Sequence, residues 1–136
     1  MKKLTPVLLV EDIESCLPFW LEKLKFQMIL QVPQEDRLGF VSLQRGGVEI
    51  MLQSRASVAA DVPAMAEGEF LTSGCGLFVE VEESLEHYLP DLQGVEVVFP
   101  RRQTFYGADE IGIRCPGGIV LVLAHMSEEA AASEAG

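Results

Sequence analysis

The stretch Val7-Leu8-Leu9-Val10-Glu11-Asp12-Ile13 decides the reading of this chain. Four apolar residues are followed by two acids and a further apolar residue. That is the pattern of a short strand running into a helix, with Asp12 placed to accept from the exposed N–H groups of the first turn. The same pattern returns at Leu77-Phe78-Val79-Glu80-Val81-Glu82-Glu83-Ser84. Aligning Val10-Glu11-Asp12 on Val81-Glu82-Glu83 gives an offset of 71, and aligning Gly46-Gly47-Val48 on Gly117-Gly118-Ile119 gives 71 again. Two landmarks with one offset, close to half of 136 residues, point to a duplicated module.

Each module reads as strand, helix, then three strands. The first places strands over residues 6–10, 26–32, 39–44 and 48–53. Its helix carries Ile13, Leu17, Trp20, Leu21 and Leu24 at helical spacing, with Pro18 expected to kink it. The second places strands over residues 77–81, 95–99, 110–114 and 119–124. Its helix has a stripe of Leu85, Tyr88, Leu89 and Leu92, distorted by Pro90 and ended by Gly94. Arg45-Gly46-Gly47 and Cys115-Pro116-Gly117-Gly118 read as hairpin turns. The expected organisation is one domain over residues 1–126, with modules at 4–53 and 76–125. Residues 54–75 read as a linker with one helical turn, and 127–136 as a disordered acidic tail.

Composition narrows the function. Twenty-one acids against ten Lys plus Arg give a formal net charge of −11, which disfavours nucleic acid and anionic membrane surfaces as partners. The 49% hydrophobic fraction is that of a globular chain, so the acidity is not a mark of disorder. Residues 1–53 are nearly neutral, at −1, whereas 76–126 carry −5. The three cysteines, Cys16, Cys75 and Cys115, form no CxxC pair. Met1-Lys2-Lys3 leads into a strand-like run rather than a signal peptide. No apolar run exceeds six residues, so none can span a bilayer. The expected setting is the reducing cytoplasm.

Two βαβββ modules, the Asp12-led helix with Phe19-Trp20, and the run from Tyr106 through Glu110 and Cys115-Pro116 to Gly118 resemble the vicinal oxygen chelate superfamily. This is the group of glyoxalases, bleomycin-resistance proteins and ring-cleaving dioxygenases, and the chain is most similar to its small bleomycin-resistance-like members. The resemblance implies an α+β fold in which curled mixed sheets surround a cup. In metal-dependent members, His, Gln and Glu side chains seat a divalent cation there. The corresponding seats fall on Thr5, Met51, Gly76 and Val122, none of them a good ligand. The two histidines lie elsewhere: His87 pairs with Glu83 on a helix surface, and His125 ends the last strand. No metal site, catalytic residue or cofactor is therefore expected.

Strand alternation assigns the cup lining instead. It comprises Glu49, Met51, Phe78, Glu80, Glu110, Arg114 and Val122, with Tyr106 at the mouth and Glu110 and Arg114 expected to pair with each other or across the modules. An apolar and aromatic lining with three carboxylates and one guanidinium suits a small organic ligand bearing a cationic or hydrogen-bonding group. The expected function is a metal-free homodimer that binds and sequesters such a molecule. The alternative is a glyoxalase-like lyase or ring-cleaving dioxygenase with a displaced metal site.

Overall fold

The computed structural model describes residues 2–70 and 74–127, so the acidic tail expected at 127–136 lies outside the described residues except for Ser127. The chain divides into two compact units, Met1–Leu71 and Thr72–Gly136. In the first, β1 (Val7–Val10), β2 (Gln27–Gln34), β3 (Arg37–Arg45) and β4 (Val48–Ser54) form a sheet of order β1-β4-β3-β2. In the second, β5 (Gly76–Glu80), β6 (Val97–Gln103), β7 (Ala108–Arg114) and β8 (Val120–Met126) repeat that order as β5-β8-β7-β6. In each sheet the first strand runs parallel to the last and the other pairs are antiparallel. These are two mixed four-stranded sheets with few helices, an α+β fold.

The duplication holds at the level of register. Val7 lies opposite Met51, and 71 residues on, Phe78 lies opposite Val122. The units differ at their last hairpins. Arg45 and Val48 close a two-residue turn, whereas Arg114 and Val120 close a five-residue loop. Its Cys115 N–H donates to the Ile119 carbonyl at 2.8 Å, and Gly117 and Gly118 both take positive φ.

Alternation sets the core. Val41, Leu43, Ile50 and Leu52 share one face of the first sheet and are buried, as are Ile111, Ile113, Leu121 and Leu123 in the second. Each such side chain contributes roughly 1.5–3 kcal/mol by leaving water. The opposite faces carry the residues expected to line the cup.

The helical segments are the main correction. No α-helix spans 13–24: a 3-10 turn at Glu14–Cys16 is followed by a π-helical segment at Pro18–Lys23. Pro18 has no N–H to continue an α-helical ladder, so the chain restarts there with wider turns. The Leu24 N–H reaches back five residues to the Phe19 carbonyl at 3.0 Å. Asp12 still caps the start, its Oδ2 accepting the Ser15 N–H at 2.9 Å. Arg37 in turn pairs with the Asp12 carboxylate. Ile13 and Trp20 are completely buried, and Trp20 meets Phe19 and Phe26 edge-on at 5.0 and 5.3 Å.

In the second unit, 3-10 turns at Leu85–His87 and Leu89–Leu92 replace the expected helix, with Pro90 early in the latter. The stripe still works, since Leu85, Tyr88 and Leu92 are buried. The expected His87–Glu83 pair is not what forms: the Tyr88 hydroxyl donates to Glu83 at 2.6 Å, and His87 sits edge-on to the Tyr88 ring.

The segment read as a linker holds α1 (Arg55–Asp61), longer than the single turn expected. Ser54 caps it, accepting the Ser57 N–H at 3.2 Å, and Val58 is buried. Arg55 forks onto Glu11 at 2.7–3.0 Å, donates to the Ala66 carbonyl at 2.6 Å and stacks on Phe70 at 3.9 Å. The alanine-rich sequence hid this helix, because its anchoring comes from the Ser54 cap and one arginine rather than from an apolar stripe.

Candidate functional site

Cross-strand pairing builds two adjacent rows on the face of the second sheet opposite its core residues, exposed at Phe78, Glu80 and Arg102 and buried at Gly112, Ala124 and Glu110. One runs Phe78, Val122, Gly112 and Phe99; the next runs Glu80, Ala124, Glu110 and Arg102. Paired residues project to the same side, so the two rows form one surface. Phe78 is 52% exposed and stands beside Val122. Gly112 and Ala124 are the small residues at the middle, and the Phe99 ring occupies the space over Gly112.

Glu110 is the centre of the polar row. It is 1% exposed, and a buried carboxylate needs partners to offset its lost hydration. It has two: Arg102 Nε donates to Oε1 at 2.9 Å, and the Tyr106 hydroxyl donates to Oε2 at 2.8 Å. Arg102 also stacks on Phe99 at 3.9 Å, so backbone, ring and guanidinium are layered. Accepting by Glu110 holds the Tyr106 phenol above its usual pKa; burial adds to this and the Thr104 hydroxyl opposes it.

This layering makes Gly112 a sensitive position. A Cβ there would lie 2.3 Å from the Phe99 ring. Gly112→Ala should therefore displace Phe99, disturb Arg102 above it and cost about 1–3 kcal/mol, as overpacking does. Chemical denaturation checks this, and adding Phe99→Leu to the alanine variant should recover part of the loss.

The other expected residues divide as follows. Glu80 is exposed on the same row as Glu110, with no ion pair among the described residues. Arg114 does not pair with Glu110. It sits two pairs further along β7, binds Glu96 and donates to the Gly118 carbonyl at 2.8 Å. Glu49 and Met51 lie in the first unit, on the open face of its sheet. Glu49 is ion-paired with Lys3 at 2.7 Å, which holds its carboxyl below the ordinary glutamate range, with Ser42 and Thr5 adding to the effect.

A depressed carboxyl pKa favours the folded state above the unfolded-chain value, and that contribution is lost as pH falls through the folded value. Lys3→Met should thus move the Glu49 carboxyl titration, followed by NMR, upward, and it should shrink the acid sensitivity of unfolding. An unmoved titration would remove Lys3 as the cause.

The sequence reading ended this strand at Phe99 and so missed Arg102. The structure accommodates Pro100 by a register shift in edge strand β6, where a missing N–H is tolerated. A signal was present: Arg101-Arg102 and Asp109-Glu110 flank the turn at Tyr106-Gly107. Arg101 forks onto Asp109 at 2.6–2.9 Å and reaches Glu86 at 2.6 Å, leaving Arg102 for Glu110.

In sequence the chain matches no protein-family model and no curated protein. Solved structures resemble it closely in architecture. A glyoxalase/bleomycin resistance protein/dioxygenase from Nocardioides superposes with a TM-score of 0.71 at 22% identity, covering 94% of this chain and 85% of its own. The chain has the glyoxalase/bleomycin-resistance fold. A glyoxalase-related enzyme from Fulvimarina pelagi gives 0.70 at 15% identity, covering 92% of this chain and 88% of its own. The fosfomycin resistance protein FosX from Listeria monocytogenes, solved with Mn(II) and sulfate, gives 0.68 at 13% identity, covering 100% of this chain and 99% of its own. At these identities the likeness is one of fold.

A divalent ion of the kind seen in the Listeria protein can be tested against the side chains here. Met51 faces Val7 and Val122 faces Phe78, and Gly76 offers no side chain. Among the described residues no group of three or more His, Cys, Asp or Glu could hold a metal. A thioether, apolar groups and, at Thr5, a single neutral hydroxyl do not fit an ion that takes several nitrogen and oxygen donors. No described helix is long and apolar enough to cross a membrane.

Proposed function

We propose that this chain is a metal-independent binding protein that sequesters a small organic molecule bearing a cationic group. It works as a homodimer in the reducing cytoplasm. The observation that carries this reading is the open face of the second sheet. An exposed Phe78 beside Val122 supplies apolar contact where metal-dependent relatives would need ligands. Glu80 supplies charge on the next row, and Tyr106 supplies a polar group.

The cationic preference rests on Glu80. Lys3 already neutralises Glu49, and Arg102 neutralises Glu110. The dimer is supported by edge strands β2 and β6, which expose Ile29, Leu30 and Val32, and Val97 and Val98. Apolar edges of this kind ask for cover. The cytoplasmic setting is supported by Cys16, Cys75 and Cys115, none of which forms a disulfide among the described residues.

Calorimetric titration with 1-naphthylmethylammonium, a small aromatic cation, tests the reading. Binding should survive exhaustive chelation of the protein. Glu80→Gln should weaken it roughly two- to fivefold, since an exposed ion pair is worth up to about 1 kcal/mol. Binding that vanishes on chelation and returns with Mn(II) would support the metal-dependent lyase or dioxygenase instead.

A further inference from the structure

The Tyr106 hydroxyl has one proton, and it is committed. A carboxylate offers only acceptors, so the 2.8 Å contact with Glu110 Oε2 uses the phenol's O–H. Arg102 holds the other oxygen, Oε1, through Nε and Nη2, both at 2.9 Å. The carboxylate is thereby turned with Oε2 toward Tyr106. With its proton given to Glu110, the phenol oxygen can act toward a ligand only as an acceptor. The residue is also accessible: Tyr106 is 40% exposed, and the neighbouring Phe105, edge-on to it at 5.2 Å, is fully exposed.

We propose that Tyr106 determines specificity in the binding site as an acceptor-only hydroxyl, selecting ligands that present an N–H or O–H donor, such as a protonated amine, beside an aromatic ring. This rests on the chain being a small-molecule binding protein. Glu110 and Arg102 are positioning residues: they take the phenol proton out of play and leave its oxygen to accept. A ligand group that can only accept meets a lone pair there and is rejected.

The test uses two probes of equal charge and equal ring, 1-naphthylmethylammonium with three N–H donors and its N,N,N-trimethyl analogue with none. Both are titrated into the wild-type chain and into Tyr106→Phe, which keeps the ring. Tyr106→Phe should weaken the ammonium probe about tenfold, the scale of a hydrogen bond to a charged group. It should leave the trimethyl probe within about twofold. Tyr106→Phe also takes a donor from the buried Glu110 carboxylate, so its urea midpoint should fall, and the unchanged trimethyl probe is what separates recognition from folding. If both probes bind wild type and variant with the same ratio, the inference is overturned while the binding reading stands. If neither probe binds the wild-type chain, both fall together.

Discussion

Arg102→Leu should lower the unfolding free energy by about 3–5 kcal/mol, the usual loss when a buried charge is left without its partner. The measurement is the urea midpoint at neutral pH with an unchanged m-value. Glu110 is 1% exposed and cannot recover its hydration, and Tyr106 gives it a single neutral donor. The loss therefore falls on the carboxylate rather than on Arg102, whose own side chain is half exposed. The double variant Arg102→Leu with Glu110→Leu should regain most of the stability, because apolar replacement of a whole buried pair is often neutral. In that background Tyr106, being partly exposed, can donate to water. A double variant as unstable as the single one would show that the pair is not what carries this face.

Trp20→Ala should cost about 3–5 kcal/mol, followed by circular dichroism because the variant loses the only tryptophan. Trp20 is 0% exposed and touches Phe19 and Phe26 edge-on, so truncation opens a cavity between two rings. The indole also carries a cost: its buried Nε1–H has no hydrogen-bond partner among the described residues. Trp20→Phe should therefore lose much less, since it fills most of the space and removes an orphan donor worth about 1–3 kcal/mol. A loss below about 1 kcal/mol for Trp20→Ala would contradict the tight packing around the π-helical segment.

The strands and their faces were legible because alternation is local. Val48, Ile50 and Leu52 against Glu49, Met51 and Gln53 can be read without knowing what either face meets. The repeat was legible for a related reason: the strand that begins each module must pair with the strand that ends it, which preserves one offset at both places. Helix type was not legible. An apolar stripe fixes which side chains are buried, but Pro18 and Pro90 decide which backbone ladder can form under it. The site's charges were half legible. Parity put Glu110 on the open face correctly, but its partner depended on strand β6 continuing through Pro100. That continuation rests on a register shift, a tertiary accommodation with no local signature. As a result Arg102 replaced Arg114 as the partner, and the negative charge available to a ligand contracted from three carboxylates to Glu80.

What decides the proposed function is whether the chain binds a small organic molecule without a metal. Native mass spectrometry of gently purified protein tests it most directly, with 1-naphthylmethylammonium added in a second run. The expected spectrum is that of a dimer carrying no divalent ion that takes up one probe molecule per chain. A chain that retains one divalent ion stoichiometrically, and takes up the probe only while the ion is present, would contradict it.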